Sequence, residues 1–306
     1  MSFDFFTFGS RFFWEDVFNY DNWVIQLNVR SLKYRLVDSF GVRRESGTFE
    51  QCKETLIKYI HACELKEPKD NTVIILHGFG KKKSSIEGLA AKLDDINANI
   101  IPLSYATLRR GVGFHANILT QMLDHMEIKG KLFIINAGAS CLITRKFLNE
   151  CENYRRYNIE GVIDINPINS GSDFADLFVN KKIINFILGP MFKDIATRNA
   201  IEIDKLPAEI NHGIIFSSNP LAKLFKSFTA RYESFPLASV PNENSYAEKI
   251  KKLAAKTWNS LNDKNLATCC KNFIVNGDFD KDYQASFSKD NEHKNNETGT
   301  KTKTKK

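Results

Sequence analysis

This chain has no paired cysteine motif, no spanning apolar run and no histidine in a long stretch of its second half, and each absence closes off a class of protein. Its 6 cysteines (Cys52, Cys63, Cys141, Cys151, Cys269 and Cys270) include no Cys-x-x-Cys pair with partner histidines, so nothing holds a structural zinc. Free thiols point to a reducing compartment. No apolar stretch approaches membrane-spanning length, and the first residues carry neither a basic leader region nor a cleavage site. The expectation is a cytoplasmic protein without a transmembrane segment. There is no dinucleotide fingerprint, and Gly78-Phe79-Gly80-Lys81 lacks phosphate-loop spacing, so neither cofactor nor metal is expected. No internal repeat occurs. The net charge is +7, but Lys289, Lys294, Lys301, Lys303, Lys305 and Lys306 sit in the final segment against only Asp290, Glu292 and Glu297, so the body is only mildly basic. The body lacks a basic patch interleaved with aromatics, and no specific nucleic-acid partner is expected.

What the chain does have is enough apolar material for a full core: 306 residues, 42% hydrophobic. Residues 1–22 form an aromatic extension carrying Phe3, Phe5, Phe6, Phe8, Phe12, Phe13, Trp14, Phe18 and Tyr20. Such rings cap a core or anchor the chain to a partner or a membrane surface. Residues 23–285 read as one α/β domain, and 286–306 as a lysine-rich tail with no periodicity to support folding. Trp23 to Val29 alternates as a strand, and Tyr34 to Asp38 pairs with it. Thr48 and Gln51 make a capping box for a helix with Cys52, Leu56, Tyr59, Ile60 and Cys63 on one face. From Thr72 the pattern is βαβα, which predicts a central, mostly parallel sheet between helical layers. Its strands are Thr72–Leu76, Asn99–Leu103, Leu132–Ile135, Gly161–Ile165 and Gly213–Ser217. Helices follow from a Ser84–Glu87 cap, from Phe114 and from Ser140, with a closing one over Leu266–Val275. An irregular helical insertion spans about 166–211.

Two loops carry the chemistry. After the Thr72 strand, His77-Gly78-Phe79-Gly80 lets the backbone turn tightly and aim an amide at a developing oxyanion. After the Leu132 strand, Asn136-Ala137-Gly138-Ala139-Ser140-Cys141 has the strand-turn-helix outline of a nucleophile elbow, with Ala-Gly-Ala at its tip.

In that order, with Leu142-Ile143-Thr144-Arg145, Asn166-Pro167-Ile168-Asn169-Ser170-Gly171-Ser172, Gly213 to Leu221 and Asn272 to Phe279, these segments resemble the α/β-hydrolase superfamily. The match is to its small lipase- and esterase-like branch, over roughly residues 71–279. The resemblance implies a hydrolase-like three-layer fold, an oxyanion loop at His77, Gly78, Phe79, Gly80 and Ala139, and a Ser, Asp or Glu, His triad. Aligning the helix residues puts Gly138 in the nucleophile's place; a two-residue shift puts Ser140 there but turns Leu142 and Arg145 the wrong way. The base position falls at Thr257 or Trp258, with no histidine between His212 and His293. Glu233 is the sole acid between Phe225 and Pro241. The resulting expectation is a hydrolase-like protein without a working triad that binds an acyl- or lipid-like small molecule or a protein partner. An active esterase using Ser140 and a membrane-surface or scaffold protein using residues 1–23 stay open beside it.

Overall fold

A computed structural model describes residues 13–218, 249–254 and 260–279. The chain opens with an antiparallel sheet of β1 (Trp14–Tyr20), β2 (Trp23–Asn28), β3 (Tyr34–Val37) and β4 (Arg43–Gly47), in that order. Among the described residues, strand structure therefore begins at Trp14 rather than Trp23. Two signals hid it: the β1 pairing carries an irregularity between Asp16 and Phe18, which breaks the alternation, and Asp21-Asn22 makes the turn with positive φ at both residues. β4, Arg-Arg-Glu-Ser-Gly, is mostly exposed and carries no apolar alternation to read.

Helix α1 (Phe49–Ala62) packs on this sheet through Phe49, Cys52 and Leu56, while Cys63, expected on the same face, is exposed at the helix end. Both hydrogen bonds of its capping box form, Gln51 N to Thr48 Oγ1 at 3.2 Å and Thr48 N to Gln51 Oε1 at 2.9 Å. Thr48→Ala is expected to lower stability by about 1 kcal/mol, read as a reduced midpoint in thermal or urea unfolding.

Among the described residues the main sheet is parallel and contains β5 (Thr72–Leu76), β6 (Asn99–Leu103), β7 (Leu132–Ala137), β8 (Ile159–Ile165), β9 (Asn211–Ser218) and β10 (Lys249–Ala254). Their spatial order is β10-β9-β8-β7-β5-β6. Strands buried on both faces need continuous apolar runs, and all of Thr72–Leu76 is buried. Alternate residues feed two cores. Ile74, Leu76, Ile134 and Val162 meet α3 (Val112–His125) and α4 (Ser140–Glu150), whereas Val73, Ile75, Phe133, Ile163 and Ile215 meet α2 (Glu87–Lys92) and the closing helix.

The expected Ser84 cap of α2 does not form: Lys83–Ser85 is a short 3-10 turn, and α2 starts without a side-chain cap. β10 escaped the sequence reading because Lys-Ile-Lys-Lys-Leu-Ala is a lysine-rich edge strand, polar as sheet edges tend to be. The insertion after β8 comprises α5 (Asp173–Phe178), α6 (Lys182–Leu188), α7 (Pro190–Asp194) and α8 (Thr197–Ala200), and the closing helix α9 spans Lys264–Asn276. The small sheet abuts the β6 edge: Asp16 N donates to Ser104 O, and Ser104 N donates back to Asp16 Oδ2, both at 2.9 Å.

Candidate functional site at the sheet's reversal point

Strand order locates the site before any side chain is considered. The chain runs from β5 outward to β6, then returns to lay β7 on the other side of β5, so the loops after β5 and β7 diverge and leave a crevice at the carboxyl edge. Those are the loops holding His77–Gly80 and Gly138–Ser140.

The first loop is set from beneath. His77 is buried, its ring stacked on Tyr105 at 4.1 Å and 16°, and its Nδ1 donates to Gly78 O at 3.0 Å. Burial drives the imidazole's pKa down to about 4, so the ring is neutral near pH 7. The Tyr105 hydroxyl donates to His77 O. Gly80, at φ +67°, donates its N–H to Thr107 Oγ1 at 3.1 Å. Between these two anchors, the Phe79 ring packs on Phe192 of α7 at 5.9 Å. Gly78 brings the loop against the elbow, because a Cβ there would lie 3.1 Å from Ala137 O.

The second loop has an elbow's backbone. β7 ends at Ala137, Gly138 takes φ +63°, and α4 starts at Ser140. Gly138 N donates to Ile165 O at 2.9 Å, which ties the bend to β8. A Cβ built on Gly138 would meet no atom of the described residues within 4 Å beyond its chain neighbours. Among the described residues the tip is therefore open. Ser140 points the other way: it is fully buried, its Oγ lies 3.2 Å from Leu76 O and 3.1 Å from Ala137 O, and it accepts from Ala137 N at 2.8 Å. Its hydroxyl ties β5 to the elbow. The amides of Phe79 and Ala139 donate to no acceptor among the described residues, and these are the two donors the resemblance implies for an oxyanion.

The neighbouring chemistry is closed off. Cys141 is buried, and burial pushes its thiol far above the usual range, so it is a packing residue with no thiolate to offer. Glu233, Thr257 and Trp258 lie outside the described residues. His212 lies within β9, level with Val162, roughly 10 Å below the carboxyl edge where Gly138 sits. There its Nε2 is 2.9 Å from Asp164 Oδ2. Among the described residues no group of three metal-ligating side chains gathers.

Sequence reasoning missed the polar frame beneath the site. Thr144 Oγ1 donates to Asn136 Oδ1 and Asn136 Nδ2 to Asp164 Oδ1, both at 2.8 Å, continuing to His212 and linking α4, β7, β8 and β9 inside the core. On the other flank His115 of α3 meets Glu15 Oε1 of β1 at 2.8 Å and Arg110 O at 3.2 Å. Asn136 and Asp164 each replace an apolar residue at a core-facing strand position, and that interruption was the available signal. Arg145, noted only as a motif residue, proves to be a staple: it is buried, donates to Asn169 O and Asp204 O at 2.8 and 2.9 Å, and also donates to Ile203 O.

A parallel sheet in this order, with a glycine loop after β5 and a strand-turn-helix bend after β7, has an α/β-hydrolase-like fold. No family model and no curated protein matches the sequence. Solved structures do. A Bacillus licheniformis lipase, BlEst2, in mature form is 15% identical, with a TM-score of 0.46, over 69% of this chain and 92% of that one. Tomato methylketone synthase I is 9% identical, with a TM-score of 0.46, over 68% and 98%. The phospholipase PlaB of Legionella pneumophila is 15% identical, with a TM-score of 0.43, over 52% of this chain and only 40% of its own. The fold assignment rests on strand order and the bend; overlaps of this extent add nothing about activity.

Proposed function

We propose that this chain is an α/β-hydrolase-like protein without hydrolytic activity, whose vacant elbow binds a small molecule bearing an acyl or carboxyl group. The observation that carries the reading is the tip of the elbow: a glycine at positive φ, no described atom where a Cβ would be, and the nearby serine hydroxyl turned into the core. A nucleophile must be lifted clear of the sheet to reach a carbonyl, and general-base assistance adds typically about 100- to 10,000-fold. Gly138 has no atom to offer. Ser140 is held by two carbonyls and an amide. The amides of Phe79 and Ala139, which donate to no acceptor among the described residues, suit a carbonyl or carboxylate oxygen, and the half-buried Phe79 ring, backed by the buried Phe192, gives an apolar wall for the rest of a ligand.

The test uses a fluorophosphonate probe and a panel of medium-chain fatty acids. Wild-type protein is expected to resist labelling and to bind a carboxylate of the panel, with binding weakened at least about tenfold in Gly138→Asn, a residue that tolerates positive φ while filling the gap. Stoichiometric labelling that disappears in Ser140→Ala defeats the inactive reading. Equal binding by wild type and Gly138→Asn, or none by either, defeats the assigned ligand site.

A further inference from the structure

The loop that offers the Phe79 amide is held by residues that are themselves held from the small sheet. Tyr105 and Thr107, both buried, anchor its two ends, the first by a hydroxyl donated to His77 O and the second by accepting from Gly80 N at 3.1 Å. Both sit in the connection 104–111 between β6 and α3. Strand β1 grips the start of that connection, where Asp16 and Ser104 exchange two hydrogen bonds of 2.9 Å, and Gln26 Nε2 donates to the same carboxylate at 2.6 Å. Its end is held as well. Arg110 donates to Val29 O just past β2, and Val112 N, at the head of α3, donates to Asp194 Oδ2 of α7 at 2.7 Å.

A row of buried rings joins β1 to the loop. His115 Nδ1 donates to Glu15 Oε1 at 2.8 Å, the His115 ring meets Tyr105 edge to face at 5.1 Å and 68°, and Tyr105 stacks on His77 at 4.1 Å. Burying a carboxylate is costly unless its oxygens are all satisfied, and Glu15 Oε2 has no partner among the described residues. An apolar residue would fill that position without the cost. What the carboxylate adds is orientation: with Nδ1 on Glu15 and Nε2 3.2 Å from Arg110 O, the His115 ring is fixed at both nitrogens. Tyr105, packed against it, is fixed in turn.

We infer that Glu15 is a positioning residue for the ligand site: acting through His115 and Tyr105, it makes the small sheet hold the His77–Gly80 loop in the shape that leaves the Phe79 amide for a ligand oxygen. The inference rests on the reading of that loop as a donor to a carboxyl group, and it brings the small sheet into the site. Contiguous contacts alone do not establish such a link; a coupling between its two ends does.

Two variants of the full-length chain cut the link at different points. Glu15→Met keeps the side chain's length and removes the acceptor for His115, whereas Tyr105→Phe keeps the stack and removes only the hydroxyl on His77 O. Amide exchange at Gly80, followed by nuclear magnetic resonance, reports the loop with no ligand present. Each variant is expected to speed it at least about fivefold and to weaken binding of the fatty-acid panel to match. The double variant is expected to fall short of the product of the two by at least about threefold. Thr48→Ala, which weakens the helix on the same sheet without touching the rings, is expected to leave Gly80 within about twofold of wild type. Should Glu15→Met not fold, His115→Phe cuts the same point with the same expected outcomes. Unchanged Gly80 exchange in Glu15→Met, a full product in the double variant, or equal acceleration in Thr48→Ala overturns the proposal. A wild type that binds no fatty acid while the exchange results hold removes the ligand reading and leaves the hold on the loop standing.

Discussion

Replacing Arg145 with methionine is expected to cost about 3 kcal/mol of stability and to loosen residues 166–211 before the rest of the chain. Methionine keeps the stem's packing and removes the guanidinium. Asn169, Ile203 and Asp204 then each lose a charged donor to a backbone carbonyl. Net values of about 1 kcal/mol for each of the three bonds give the total. The guanidinium is buried, and that burial draws its proton affinity down. The expected readout is a lowered urea midpoint with amide exchange accelerating first at 169 and 203–204. Uniform acceleration across the sheet instead would mean that Arg145 supports the whole core rather than pinning the insertion.

Acid is expected to weaken the fold through His77 by about 3 kcal/mol between pH 6.5 and pH 4, because each pH unit separating the folded and unfolded pKa values is worth about 1.36 kcal/mol. The folded state holds the ring neutral down to about pH 4, whereas the unfolded chain takes up a proton from about pH 6.5. Below that value the unfolded state binds more protons, so stability falls with pH and levels off under the folded pKa. His125, also lowered by burial, adds a smaller effect of the same sign, and Asp16, whose carboxyl burial raises, pulls the opposite way. Comparing pH profiles of wild type and His77→Gln isolates the imidazole. Parallel profiles from pH 7.5 to 4 would rule out His77 as the source.

The architecture was legible because it rests on periodicity. Thr72–Leu76, Leu132–Ala137 and the amphipathic α1, α3 and α9 announce themselves by apolar runs or by spacing, and a parallel sheet demands such runs. What escaped were elements whose stability comes from their neighbours. β1 is distorted within its own pairing, β4 is polar, and β10 is a lysine-rich edge, so each is a strand only because another strand offers hydrogen bonds. The α2 cap failed for a related reason: a short helix anchored to the sheet through its own Leu89 and its C-cap Leu93 is held by burial and has little need of a cap.

The site divides the same way. The sequence alone determined that a glycine precedes the helix after the Leu132 strand, and that no histidine lies between His212 and His293, because residue identity and order are covalent facts. Only the tertiary structure decided that Ser140 faces Leu76 and Ala137 instead of the crevice, that Asp164 and His212 pair well below the carboxyl edge, and that α6 leaves Ile183, Phe186 and Ile187 exposed. Direction and burial are set by strands and helices far apart along the chain, and no local pattern encodes which of them will meet.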